Sequence, residues 1–356
     1  MKTPKYGTGD PGVDAEIDAL LERADTGRPE DSGLIKELVV SALRLGRERY
    51  TRGDVKIANS ALKEMRYSFQ VFGPFRQTPK VSIFGSARTA PDHPDYILAR
   101  EFAAAMAAQG WMSITGAGPG IMTAGIEGAG PDNSFGVNIL LPFEPAASHS
   151  IANDPKLINY RYFFTRKLTF MKETDAFALL PGGFGTLDET FELLTLIQTG
   201  KSNPVPIVML DHAESTYWSA WQNFVESELG DRNMISSHDT DLYLHTHDPE
   251  VAAEYICSYY SSYHSMRYVG NQLVIRMRHK LDEDAIATLN DEFADIVAGG
   301  SIEAIEATKA EQRDQDRLDL HRIAFRFDNR GFARLVALAR RVSNLAGNGD
   351  PSARGL

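Results

Sequence analysis

The chain has 356 residues, 43% hydrophobic and 24% charged, and its 48 acidic against 37 basic side chains leave a formal net charge of −11. That size holds one large domain with appendages or two domains, and its negative field excludes nucleic acid and anionic membranes as bulk partners while leaving room for a small anion held by local donors. One cysteine, Cys257, can form neither an internal disulfide nor a cysteine-built zinc site, and the absence of an apolar signal core in Met1–Leu20 and of any uncharged run of membrane-spanning length makes the cytoplasm the expected compartment.

Three blocks follow one another. Residues 1–79 read as helical, with Ile35, Leu38, Val39, Ala42 and Leu43 at helical spacing, then Ile57, Leu62 and Met65. Phe72, Gly73, Pro74 and Phe75 break the pattern. This block carries no chemistry and is expected to be a cap or an oligomer surface.

Residues 80–265 alternate strand and helix. Strands are expected at Val81–Phe84, Met112–Thr115, Gly136–Leu141, Ala176–Leu180 and Val205–Leu210. Helices are expected at Tyr96–Gln109, Ile121–Gly128, Leu157–Glu173 and Leu187–Thr199. The pattern predicts an α/β fold, a Rossmann-like parallel sheet with helices on both faces. Ligands bind such sheets at the carboxyl ends of the strands, where three strands here run into glycine-rich turns. Residues 266–356 are expected to form a small α+β module of ferredoxin-like type, with strands at Gln272–Met277, Ile302–Thr308 and Arg322–Phe327 and helices at Asp282–Val297 and Gly331–Val342. Asn344–Leu356 is expected to fray.

Glycine-rich turns before helices cradle phosphate, because the backbone can approach closely and the helix start presents unpaired N–H groups. The dinucleotide fingerprint fails here, since Ile121 stands at its last glycine after Gly116 and Gly118. The Walker pattern fails too: Gly200, Lys201 and Ser202 end it correctly, but Thr195 replaces the first glycine. Pro181-Gly182-Gly183-Phe184-Gly185-Thr186 is more specific. Locally, Thr186 and Glu189 also satisfy the spacing of a capping box, which would account for both residues without a ligand.

These residues resemble the LOG family, long filed as "lysine decarboxylase-like". The family signature P-G-G-x-G-T-x-x-E is matched by Pro181, Gly182, Gly183, Gly185, Thr186 and Glu189, and its upstream Arg-Lys pair by Arg166 and Lys167. Gly85 and Ser86 match its first turn. In its second, Ala117 stands between Gly116 and Gly118 where the family has a glycine. The resemblance spans residues 80–265 and is strongest to the longer bacterial members. It implies a phosphoribohydrolase, releasing a base from a nucleoside 5′-monophosphate such as AMP or a cytokinin nucleotide and leaving ribose 5-phosphate. It implies Arg166 and Glu189 as catalytic residues. It places Gly85, Ser86, Gly116, Gly118, Lys167, Gly182, Gly183, Gly185 and Thr186 around the nucleotide, and at least a homodimer. The alternative is a nucleotide sensor without catalysis.

On this reading Glu189 lies in the first turn of its helix, ionised, steadying an oxocarbenium-like ribose or orienting water. The phosphate rests on the N–H groups of Gly183 to Thr186. Arg166 shares a helix face with Tyr162, Phe170 and Glu173, and an ion pair with Glu173 is its bland role. Asp188 is a weaker acid candidate. The scheme calls for no metal and no cofactor, and no lysine has the context of a pyridoxal phosphate anchor. His238, His245 and His247, around Asp239 and Asp241, read as a polar loop.

Overall fold

The apolar runs of the central block do become parallel strands, and their residues sort onto two faces by the twofold alternation of a strand. The structure is a computed structural model that describes residues 6–24, 31–48, 50–141 and 150–347. It divides into two units, Met1–Arg66 and Tyr67–Leu356.

The first unit is helical. It holds α1 (Pro11–Ala24), α2 (Ser32–Arg47) and most of α3 (Arg52–Phe72). Lys36 of α2 pairs with Asp18 of α1 at 2.6 Å, and the Arg44 guanidinium lies 4.4 Å from the centre of the Tyr6 ring while bonding the Gly7 carbonyl. Among its described residues only Ile17, Val40 and Ala61 are buried apolar side chains, whereas Leu34, Leu38, Leu43, Ile57 and Leu62 are exposed.

The second unit runs β1 (Lys80–Phe84), α4 (Pro94–Ala108), β2 (Met112–Thr115), α5 (Ile121–Ala129), β3 (Ser134–Ile139), β4 (Leu157–Tyr160), α6 (Phe163–Glu173), β5 (Ala176–Leu179), α7 (Phe184–Gln198), β6 (Ile207–Leu210), α8 (Tyr217–Phe224), β7 (Tyr243–Thr246) and α9 (Pro249–Tyr259). These seven strands form one sheet in the order β4-β3-β2-β1-β5-β6-β7, all parallel. Phe177, Leu179, Ile207 and Met209 face one side with Phe170 of α6, Leu193 of α7 and Trp218 of α8. Ala176, Ala178, Val208 and Leu210 face the other, against Phe102 of α4 and Ile256 of α9. The fold is α/β and Rossmann-like, and its order reverses between β1 and β5.

Two departures bear on the site. Leu157–Tyr160 is an edge strand, not the first turn of a helix. Its Ile158 and Tyr160 are buried and Asn159 exposed, and it pairs with Gly136–Ile139. Helix α7 starts at Phe184, one turn earlier than expected, with Gly183 as its N-cap.

A four-stranded antiparallel sheet follows, with β8 (Tyr263–Val269), β9 (Gln272–Met277), α10 (Glu283–Glu292), β10 (Glu303–Ile305), α11 (Lys309–Asp314), β11 (His321–Phe325) and α12 (Phe332–Gly347), in the order β10-β11-β9-β8. The expected βαββα segment is there in ferredoxin-like order. The place of the usual fourth strand is taken by β8, which precedes the segment in the chain. The strand expected at Ile302–Thr308 stops at Ile305 because Thr308 and Glu311 close a capping box on α11. Buried Glu311 then pairs with Arg276 and Arg322 across the sheet. Asn344–Gly347 complete α12 rather than fray, and 348–356 lie outside the described residues.

Candidate functional site

Three loops meet at the carboxyl edge, where the strand order reverses. The Leu180 amide donates to the Phe84 carbonyl at 2.8 Å and the Ser86 amide to the Pro181 carbonyl at 3.0 Å, joining the loops after β1 and β5. The Ile121 amide donates to the Ser86 carbonyl at 3.1 Å, which brings in the loop after β2. Gly120 makes that approach with φ +67°; a Cβ there would stand 2.3 Å from the Ser86 oxygen. Gly120→Ala is therefore expected to cost about 3 kcal/mol, a positive φ and a backbone clash together, measured as a lower midpoint in urea denaturation. An unchanged midpoint would mean the loops are not joined this way.

The glycines and hydroxyls named for the nucleotide lie in these loops and the first turn of α7, and Arg166, Lys167 and Glu189 lie on the helices α6 and α7 beside them. Gly183, Phe184 and Gly185 are exposed at the start of α7, where the first N–H groups of a helix have no carbonyl one turn back. Phe184 is 95% exposed. Thr186 is buried and faces Gly182, whose Cβ would lie 2.1 Å from its Oγ1. Gly118 abuts Met122, and Gly85 packs against Ile121. Sequence reasoning missed Tyr217, whose hydroxyl donates to the Gly182 carbonyl at 2.7 Å and holds the loop from the α8 side.

Arg166 is partly buried on α6. Its Nε donates to the Val137 carbonyl at 2.8 Å and its guanidinium lies 5.1 Å from the Phe170 ring centre. A side chain at Gly116 would stand 2.5 Å from Nη2, so that glycine keeps the space the guanidinium fills. Glu173 pairs with Lys172, so the bland ion pair of Arg166 with Glu173 does not form. Burial lowers the Arg166 pKa, and the charge of Glu189 opposes the shift.

Glu189 is buried in the second turn of α7, the sixth residue of the helix. It makes no capping box: α7 has no side-chain cap. Its Oε2 has no hydrogen-bond partner among the described residues, and Lys167 Nζ is 3.8 Å away. Burial pushes the carboxyl up to about 7, against the pull of Lys167 and Arg166 and with a push from Glu192 and Asp188. The expectation of a first-turn carboxylate whose ionised form the helix dipole favours is corrected: Glu189 lies in the second turn, and burial favours its neutral form. Lys167 bonds Asp188 at 2.8 Å and Glu192 at 2.6 Å. It is engaged by carboxylates on α7, and holding a phosphate would require it to leave them.

A buried acid of pKa near 7, flanked by two cations and a helix start open to solvent, can exchange a proton near neutrality beside a bound anion. Comparisons with known proteins bear on the family. A family model described as "Possible lysine decarboxylase" matches residues 106–256. A Mycobacterium marinum protein named cytokinin riboside 5′-monophosphate phosphoribohydrolase is 30% identical over 152 residues, which is 41% of this chain and 78% of the relative.

The chain belongs to the LOG family.

A Mycobacterium tuberculosis LOG protein of the same name is 32% identical over 127 residues, 34% of this chain. The chain spans 66% of that relative's length, just under two thirds. Among solved structures, a molybdenum cofactor binding protein from Rippkaea orientalis is similar with 21% identity and a TM-score of 0.37, over 51% of this chain and 97% of that one. No described helix of this LOG chain is long and apolar enough to cross a membrane.

Proposed function

We propose that this chain hydrolyses the N-glycosidic bond of a nucleoside 5′-monophosphate, giving the free base and ribose 5-phosphate. The observation that carries the reading is Glu189: a buried carboxylate with an unbonded oxygen, on the helix that the glycine loop after β5 opens and beside Lys167. The 5′-phosphate lies on the first N–H groups of α7, between Gly183 and Thr186. Arg166 meets the sugar phosphate from the α6 side. As the C1′–N bond breaks, positive charge grows on the ribose and negative charge on the base. Ionised Glu189 steadies the ribose and takes a proton from the attacking water, whose oxygen bonds to C1′. The departing base ends with that proton's equivalent, so one water is consumed and divided between the products.

The exposed Phe163, Phe164 and Leu168 of α6 and Phe184 and Phe191 of α7 supply the apolar surface for self-association into at least a dimer. The deciding experiment is incubation with a panel of nucleoside monophosphates, scored by chromatography for base and ribose 5-phosphate. Equimolar base and ribose 5-phosphate from AMP or another member is the expected result. Binding of the panel without any release would instead leave a nucleotide sensor.

A further inference from the structure

A second constellation sits on the same sheet edge, at the ends of β6 and β7. Asp211 follows β6 immediately, and the register pairs Met209 with His245 and Leu210 with Thr246, so Asp211 comes level with His247. His245 and His247 are two residues apart along β7 and its end, which puts both imidazoles on one face of the edge strand. His245 Nε2 lies 2.8 Å and His247 Nδ1 3.0 Å from the same oxygen, Asp211 Oδ1, and His247 Nδ1 also hydrogen-bonds the Asp211 backbone carbonyl at 2.9 Å, a bond that an ion would replace. The sequence grouping of these histidines with Asp239 and Asp241 is thereby corrected: among the described residues it is His238 that faces Asp241, while His245 and His247 face Asp211.

We propose that Asp211, His245 and His247 bind a divalent transition-metal ion of the Zn2+ class. The chemistry of the donors is the first ground, since two imidazole nitrogens and one carboxylate oxygen are a ligand set such ions take. The spacing is the second. Ligands held at 2.0–2.2 Å around a tetrahedral ion stand about 3.4 Å apart, and the three donor atoms here all lie within 4.8 Å of one another, the two nitrogens 2.8 and 3.0 Å from the carboxylate oxygen. Electrostatics is the third. The Asp211 side chain is fully buried, and among the described residues its ion-pair partners are these two histidines alone. A buried carboxylate needs hydrogen bonds or a countercharge, and a divalent cation supplies the latter. The His247 side chain is 42% exposed, so the ion keeps a position open to water.

The neighbouring trio of His93, Asp95 and His212 does not match this. His93 Nδ1 accepts the Asp95 amide as the cap of α4 and lies 3.7 Å from the Asp95 carboxylate. Binding an ion there would break the cap. The proposed ion ties the ends of β6 and β7, next to the Trp218 amide that reaches Asp211 Oδ2.

The test uses the full, tag-free chain, stripped with chelator and titrated with Zn2+ by calorimetry and with Co2+ by visible spectroscopy. One ion per chain is expected, with a Co2+ band of a low-coordinate nitrogen and oxygen site. His247→Ala, at the exposed ligand, should weaken Zn2+ binding more than about 100-fold, beyond what loss of an outer-shell partner does, with an unchanged far-ultraviolet spectrum. Asp211→Asn, of equal shape, should do the same, and His238→Ala should bind like wild type. Absence of saturable Zn2+ binding in the wild type, or equal binding by wild type and His247→Ala, would overturn the proposal.

Discussion

Glu189→Gln should lower base release from a nucleoside monophosphate by about 10³-fold, within the range of a lost general base, and at the same time make the protein more resistant to heat at pH 8. The two effects share one cause. The Glu189 carboxyl is raised from 4.5 to about 7 by burial, so the folded chain binds its proton more tightly than the unfolded chain does. Between those values folding takes up a proton, and stability falls as pH rises from about 4.5 to about 7. Above pH 7 the folded protein carries a poorly solvated anion. The amide of Gln carries no charge and escapes that cost, a gain of about 3 kcal/mol. Below pH 4.5 the acid is neutral in both states and the difference should vanish. Melting temperatures of the two proteins from pH 4 to pH 9 check this. Curves that run parallel across the range would mean that Glu189 is not desolvated, and the proposed chemistry would lose its base. In the wild type kcat/KM should rise with pH to a midpoint near 7, as the carboxyl gives up its proton. The residual activity of Glu189→Gln should lack that midpoint, which separates the enzyme's titration from that of the substrate phosphate.

The parts of the site that were legible in the sequence are those whose partners are close in the chain or whose chemistry is in the residue types. Pro181 to Glu189 declared a turn and a helix start, and the strand-helix alternation from Val81 to Leu210 declared the sheet. What could not be read depends on distant pairing. Leu157–Tyr160 has too few residues to show a period of its own, and it is a strand because β3 offers an open edge beside it. Glycine and proline signal a break and so point to a start of α7 one turn late, whereas Gly183 serves as the N-cap and Phe184 already belongs to the helix. That shift moves Glu189 out of the first turn and turns its electrostatics around. Asp211 gives no local hint of its role, since its histidines lie 34 and 36 residues further on and reach it only through the pairing of β6 with β7.

Arg166→Met should abolish most turnover, by about 10²–10³-fold for loss of a preorganised cation in a desolvated cleft, and should leave the fold intact. Methionine fills much of the arginine stem and keeps contact with Phe170, so packing is largely retained while the charge and the bond to the Val137 carbonyl are lost. If Arg166 serves only to cross-link α6 to β3, the variant should melt much lower and activity should follow the fraction folded. If it works on the substrate, the melting temperature should move little while kcat/KM collapses. A second signature separates the two roles more sharply. Arg166 pulls the Glu189 pKa down, against the stronger push of burial. With the cation gone, the carboxyl should hold its proton to higher pH, so the midpoint of the remaining activity should move upward from about 7. Arg166→Lys should restore the direction of that pull without restoring the rate. A lysine has no Nε to donate to Val137 and no planar fork to lay beneath Gly116. A midpoint that stays near 7 in Arg166→Met would show that the two side chains do not share a field, and Arg166 would then belong to the scaffold rather than to the reaction.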